Sequence, residues 1–114
     1  MDRYSEDEMQ EIRQAVEQEV FAWPGVTARR MFGLPGYLAD GKVFLLLVTG
    51  GVVLTRLAPG DLVEIASRFQ VTPFEAHGRL VKAWIQVAMK SPEDVPALVP
   101  FLRRSYEGAP KKES

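Results

Sequence analysis

Two adjacent arginines, Arg29 and Arg30, stand directly before Met31-Phe32-Gly33, with Pro35-Gly36-Tyr37 close behind. Arginine presents a planar fork of donors that matches carboxylate and phosphate oxygens, so the pair is a candidate contact for an anion or an acidic partner. On an extended segment neighbouring side chains face opposite ways, so only one of the two can lie on a given side of a sheet. The plainer reading leaves one arginine solvated and pairs the other with an acid of the preceding helix. Trp84 is the second candidate. It lies between Lys82 and Gln86, out of phase with the apolar series Val81, Ala83, Ile85, Val87 and Met89. An indole taken out of water buries about 150–250 Å², so a tryptophan on the polar side of a strand is expected to meet a partner.

Other residue types exclude more than they offer. The chain has no cysteine, which removes disulfides, thiolate catalysis and cysteine-ligated zinc together. His77 is its one histidine; beside Gly78 it reads as a turn residue, and Glu75 with His77 falls short of a zinc ligand set. Gly33-Leu34-Pro35-Gly36 has the GxxG spacing of a KH loop, but it leads into a strand instead of joining two helices. It also lacks the Lys and Ser/Thr of a P-loop. There is no Gly-x-Ser-x-Gly elbow. Asp61 and Glu64 fit first-turn helix acids better than a general acid and base. No catalytic residue, metal or cofactor is expected, and the chain reads as a non-enzymatic protein.

The elements that must position these residues follow from periodicity and turn chemistry. Ser5-Glu6-Asp7-Glu8 forms a capping-box pattern, and Met9, Ile12, Val16 and Val20 then make one apolar stripe on a helix ended by Trp23-Pro24-Gly25. Tyr37–Ala39 and Lys42–Val48 flank Asp40-Gly41, a pair suited to a type I′ hairpin, and Gly50-Gly51 leads into Val52–Leu57. Pro59 opens a second helix with Leu62, Ile65, Ala66 and Phe69 as its packing residues. A hairpin of Val71–Ala76 and Leu80–Met89 follows, around His77-Gly78. A final helix packs through Val95, Leu98, Val99, Leu102 and Tyr106, and Pro100 is expected to kink or split it. This predicts an α+β domain, α-β(3)-α-β(2)-α, with an antiparallel sheet and helices mainly on one face. It is a single domain over residues 1–108, with 109–114 as a flexible C-terminal tail.

Val43–Val48 is apolar at every position, and alternation sends three of its side chains to each face. Helices on one side cannot cover both, so either the kinked C-terminal segment or a second copy of the chain must cover the open face, and a homodimer through that face is the expectation. The 114-residue chain carries 14 basic and 15 acidic residues, far from the strongly basic balance of a generic nucleic-acid binder. Its first twenty residues are acidic and contain no apolar core, so neither an export signal nor a membrane segment is expected, and the cytoplasm is the expected location.

Arg29-Arg30-Met31-Phe32-Gly33, then Gly36-Tyr37, then Asp40-Gly41-Lys42-Val43-Phe44 resemble the signature of the TfoX N-terminal domain family. Pro73-Phe74, the strand around Trp84 and the pattern over Leu98–Arg104 fit as well. Leu34 and Pro35 depart from that signature by replacing its second glycine and stiffening the loop. Pro24-Gly25 and Ser105-Tyr106 also resemble the YjbR-like family, whose strand order is similar. The TfoX resemblance implies the same α+β layout and a regulatory role linked to competence and transcription; it supplies no catalytic residues.

The leading expectation is therefore a protein-interaction module with a regulatory partner, using Arg29, Arg30, Phe32, Tyr37, Lys82, Trp84 and Gln86. A second reading is nucleic-acid binding through Arg29, Arg30, Arg79, Lys82, Arg103 and Arg104, with Trp84 as a stacking platform. A third is a small-ligand pocket near Phe32, Tyr37 and Trp84.

Overall fold

The structure is a computed structural model that describes residues 4–76 and 78–111, the side chains of Ala76, Lys82 and 109–111 excepted. His77 thus lies outside the described residues. The fold is α+β. Helix α1 (Glu6–Val20) leads into strands β1 (Val26–Met31), β2 (Leu34–Ala39), β3 (Lys42–Val48) and β4 (Gly51–Leu54). Helix α2 (Pro59–Ala66), strands β5 (Val71–Ala76) and β6 (Arg79–Ala88), a 3₁₀ turn at Pro92–Asp94 and helix α3 (Val95–Lys111) complete it. The strands make one antiparallel sheet in the order β1-β2-β3-β4-β6-β5.

Four strands, not three, separate α1 from α2. The additional one is the edge strand β1, four of whose six residues are exposed, with little apolar alternation to announce it. Phe32 and Gly33 join β1 to β2 with φ of 55° and 75°, a two-residue turn of the I′ kind. Asp40-Gly41 makes the expected I′ turn, with φ of 52° and 82°. The stripe Met9, Ile12, Val16 and Val20 is buried as read, but Ser5 makes no side-chain cap. Its backbone N–H instead donates to Thr49 Oγ1 at 2.7 Å, tying the start of α1 to the end of β3. Ala66 of α2 is exposed, where packing was expected. Helix α3 runs unbroken through Pro100, which is exposed, so water can satisfy the carbonyl its missing N–H leaves free. It also continues to Lys111, past the point where a tail was expected.

All three helices pack on one face of the sheet. Their residues Met9, Val16, Ile65, Leu98, Phe101 and Leu102 share a core with Phe44, Leu45, Leu47, Val52 and Val87. The other face carries Leu34, Leu38, Val43, Leu46, Val48, Val53 and Phe74, and it too is buried within one chain. Every residue of Val43–Val48 is at most 8% exposed. The premise that this face needs a second copy is therefore corrected: the sheet curls over itself. Phe32, between the first and second strands of the sheet order, has its ring centroid 6.1 Å from that of Trp84 on the fifth.

Two irregularities permit the curl, since a bulge bends and twists the strand that carries it. Tyr37 pairs with Leu45 and Leu38 with Val43, so Phe44 is an extra residue in β3. Phe44 and Leu45 consequently face the helices together, and each face still receives three side chains, though not the three that strict alternation assigns. On β6, Pro73 pairs with Ile85 and Glu75 with Leu80, which leaves residues 81–84 bulged opposite Phe74. Ala83 takes φ of 68° there and is exposed. The phase of β6 therefore slips at Ala83: Val81 joins Trp84 on the curled inner face, while Trp84 still alternates with Ile85 and Val87 of the helix-facing side. Trp84 stands half-buried against the inner core, its ring 5.9 Å from Phe74.

The β3 bulge strands backbone carbonyls that helix α3 and the end of β4 satisfy. Thr55 Oγ1 donates to the Val43 carbonyl at 2.8 Å, and Ser105 Oγ, fully buried, donates to that of Phe44 at 2.7 Å. Ser105 Oγ also accepts from the Arg56 N–H at 3.1 Å. Gly108 lets α3 come this close, because a Cβ there would sit 2.5 Å from the Arg56 carbonyl oxygen.

Candidate anion-binding face

Arg29 and Arg30 lie on the edge strand β1, opposite Gly36 and Pro35 of β2, and both are exposed. Both border each of two hollows beside this edge. A cavity of about 450 Å³ gathers Arg29, Arg30, Lys42 and Arg56 around an apolar floor of Leu38 and Val43, with Phe32 at its rim. No acidic side chain lines it among the described residues. A smaller hollow of about 290 Å³ on the other side of β1 includes Glu17 and Tyr37.

Two of these arginines are held by backbone carbonyls. Arg30 Nη1 donates to the Gly33 carbonyl at 2.7 Å, bracing the guanidinium against its own hairpin turn. Arg56 Nε donates to the Val43 carbonyl at 3.2 Å, so the β3 bulge aims this side chain too. Among the described residues Arg29, Arg30 and Arg56 have no carboxylate partner. The expected pairing of Arg29 or Arg30 with an acid of α1 is thus not formed. Two of those acids are engaged elsewhere: Arg13 bridges Glu6 and Glu17. Its hydrogen bond, with help from Tyr4, holds the Glu6 carboxyl below the usual range.

Phe32 forms the rim on a strained backbone. Its φ of 55° is rare for an aromatic residue, and its ring is 45% exposed while meeting Trp84 edge-on at 73°. Of the residues read from sequence, the fold brings Arg29, Arg30, Phe32 and Trp84 to this end of the sheet. It separates Gln86 from them and sets Tyr37 on the other side of the sheet, where it borders the smaller hollow with Arg29 and Arg30. Tyr37 is 1% exposed beneath α1, where its hydroxyl donates to Glu17 Oε2 at 2.6 Å. Burial first, then that hydrogen bond, pushes its pKa strongly up. Gln86 sits in the ladder between Val53 of β4 and Thr72 of β5. The Lys82 side chain lies outside the described residues.

The wider basic patch is not assembled. Arg103 pairs with Glu107 at 3.0 Å and lies 5.1 Å over the Trp23 ring. Arg104 reaches Asp61 at 3.1 Å and Glu64 at 2.9 Å. Both sit on α3, on the helix-covered side. Trp84, wedged between Phe32 and Phe74, is no open stacking platform. The sequence reading missed Lys42 and Arg56, which enter the cavity only through strand register and the bulge. Lys42 after Asp40-Gly41 was the available signal, since a hairpin return places it beside β2.

Among the described residues no group of three or more His, Asp or Glu is placed to hold a metal, and no helix is long and apolar enough to cross a membrane. No family model, curated protein or solved structure matches this chain.

Proposed function

We propose that this chain is a cytoplasmic, non-enzymatic binding module that engages an anionic partner through the β1–β3 end of its sheet. A regulatory role follows by its resemblance to the TfoX N-terminal domain family, which rests on the sequence motifs at Arg29–Gly33, Gly36-Tyr37 and Asp40–Phe44. The single observation that carries the reading is the cavity where Arg29, Arg30, Lys42 and Arg56 converge with no acid in its lining. The cavity's three arginines have no carboxylate partner among the described residues, so they repel each other, and a bound anion relieves that repulsion. The test immobilises the chain and compares wild type with the double variant Arg29→Glu/Arg30→Glu at low and high salt. A partner that binds through an acidic segment, and is lost both on charge reversal and on adding salt, supports the reading. A partner set unchanged by charge reversal overturns it.

Homodimer formation is the second reading. With Val43–Val48 covered, it would have to use another surface, and Leu80, 66% exposed beside the β6 bulge, supplies the apolar patch. Equilibrium sedimentation of Leu80→Asp beside wild type decides it; a wild type that stays monomeric at high concentration ends it.

A further inference from the structure

We infer that the cavity bounded by Arg29, Arg30, Lys42 and Arg56 is a site for a small phosphate ester with a planar aromatic body, of the nucleoside mono- or diphosphate class. The inference rests on the anion-binding reading above and narrows it to one ligand chemistry.

Size comes first. At about 450 Å³ the cavity falls in the range of about 300–1,000 Å³ typical of small-molecule sites. Charge comes second. A carboxylate is matched by one guanidinium fork, whereas three arginines around one hollow suit a group with more charge and three terminal oxygens. Arg56 is already held through Nε by the Val43 carbonyl, and among the described residues its terminal nitrogens have no carboxylate partner. Arg30 is braced in the same way by Gly33.

The apolar part of the site selects against a bare anion. Leu38 and Val43 floor the cavity, and the half-exposed Phe32 ring stands at its edge. Inorganic phosphate gains nothing from these surfaces. An aromatic base laid on Phe32 would cover ring surface now left to water, and such stacking is worth having at any base because each has a π-face. The backbone points the same way. Phe32 occupies a left-handed position that glycine or asparagine would fill with less strain, so a side-chain role for the ring explains its presence. Trp84 props that ring edge-on, which fixes the direction its face presents.

The test is isothermal titration of the full chain with ADP, inorganic phosphate and adenosine, at about 50 mM and about 500 mM salt. ADP is expected to bind more tightly than either fragment and to weaken as salt rises. Arg56→Gln should weaken both ADP and phosphate by about tenfold. Phe32→Gly, which suits the turn, should weaken ADP and leave phosphate unchanged. Thermal melts establish that each variant is folded; if Arg56→Gln is not, Arg29→Gln carries the same comparison. ADP binding no tighter than phosphate overturns the aromatic half of the inference. ADP binding indifferent to both arginine substitutions overturns the site. No binding by any of the three probes, while Arg29→Glu/Arg30→Glu still abolishes capture of an acidic partner, overturns the ligand class and leaves the broader reading standing.

Discussion

An Arg-Arg pair occurs twice in this chain, and the two pairs have opposite fates. Arg103-Arg104 stands on α3, where each guanidinium finds acids: Glu107 one turn along, and Asp61 and Glu64 across on α2. Arg29-Arg30 stands on an edge strand, where no carboxylate answers either. The dipeptide is the same; its element decides its role. A helix sets residues three and four apart on one surface, so acids and bases placed at that spacing neutralise one another. An edge strand sends neighbours to opposite sides and offers only cross-strand partners, here Gly36 and Pro35, which have no side-chain acceptor. Charge placed on such an edge is left without a carboxylate partner among the described residues, and it discourages unwanted strand pairing.

The largest test of that contrast is Ser105→Ala. Ser105 follows Arg104 on the helix, yet it also supports Arg56 of the cavity, so it joins the two regions. Its loss leaves the Arg56 N–H unpaired and the buried Phe44 carbonyl with only the long 3.4 Å bond from the Thr55 N–H, and should cost about 2 kcal/mol in denaturant unfolding, with anion binding weakened as well. Binding unchanged in this variant would mean that Arg56 is not positioned from α3. Tyr37→Phe comes next, at about 1 kcal/mol for its hydrogen bond to Glu17. Its folded pKa is raised, so its stabilisation is complete below the unfolded value of about 10 and is lost as pH climbs beyond it. An alkaline fall in wild-type stability should therefore be blunted in Tyr37→Phe.

Arg104→Ala should lower the melting temperature while leaving anion binding intact, since it unlinks α3 from α2 and uncovers Phe101. Arg29→Ala should do the reverse, with stability unchanged within about 0.5 kcal/mol. The same split in both variants would erase the distinction between the pairs. Acid sharpens it from the other side. Arg13 and Arg104 respectively hold Glu6 and Glu64 below their ordinary pKa, so these pairs stabilise above the unfolded carboxylate value of about 4.3. That stability is lost as pH falls through the folded values. A double variant Glu6→Gln/Glu64→Gln should show a shallower acid limb in pH-dependent melts. The smallest effect belongs to Ala83→Gly: relief of a left-handed alanine should stabilise by about 1 kcal/mol at most, with Trp84 fluorescence unchanged.

Much of the fold was legible because local chemistry and tertiary structure agree there. The α1 stripe, the Asp40-Gly41 turn, the strand Val71–Ala76 and the packing of α3 through Val95, Leu98 and Leu102 are all carried by residues within a few positions of one another. Strand β1 was not legible, because an edge strand buries little and so shows no period. The burial of Trp84 was missed for a related reason: it does face away from Ile85, Val87 and the helices, as alternation implies, but the curl covers that face and the bulge brings Val81 to it. Alternation counts residues, and a bulge inserts them without any mark as clear as a glycine: the slip falls at an alanine. Phe44 hides the other bulge inside an unbroken apolar run.

The amino-acid sequence by itself determined the class of fold, the helix-facing core and the presence of two arginines beside an aromatic turn, since these depend on propensity and spacing along the chain. Only the tertiary structure decided that the sheet covers its own second face and that Lys42 and Arg56 join Arg29 and Arg30. Both outcomes depend on where bulges shift strand register, and register is a relation between distant segments that no local pattern encodes.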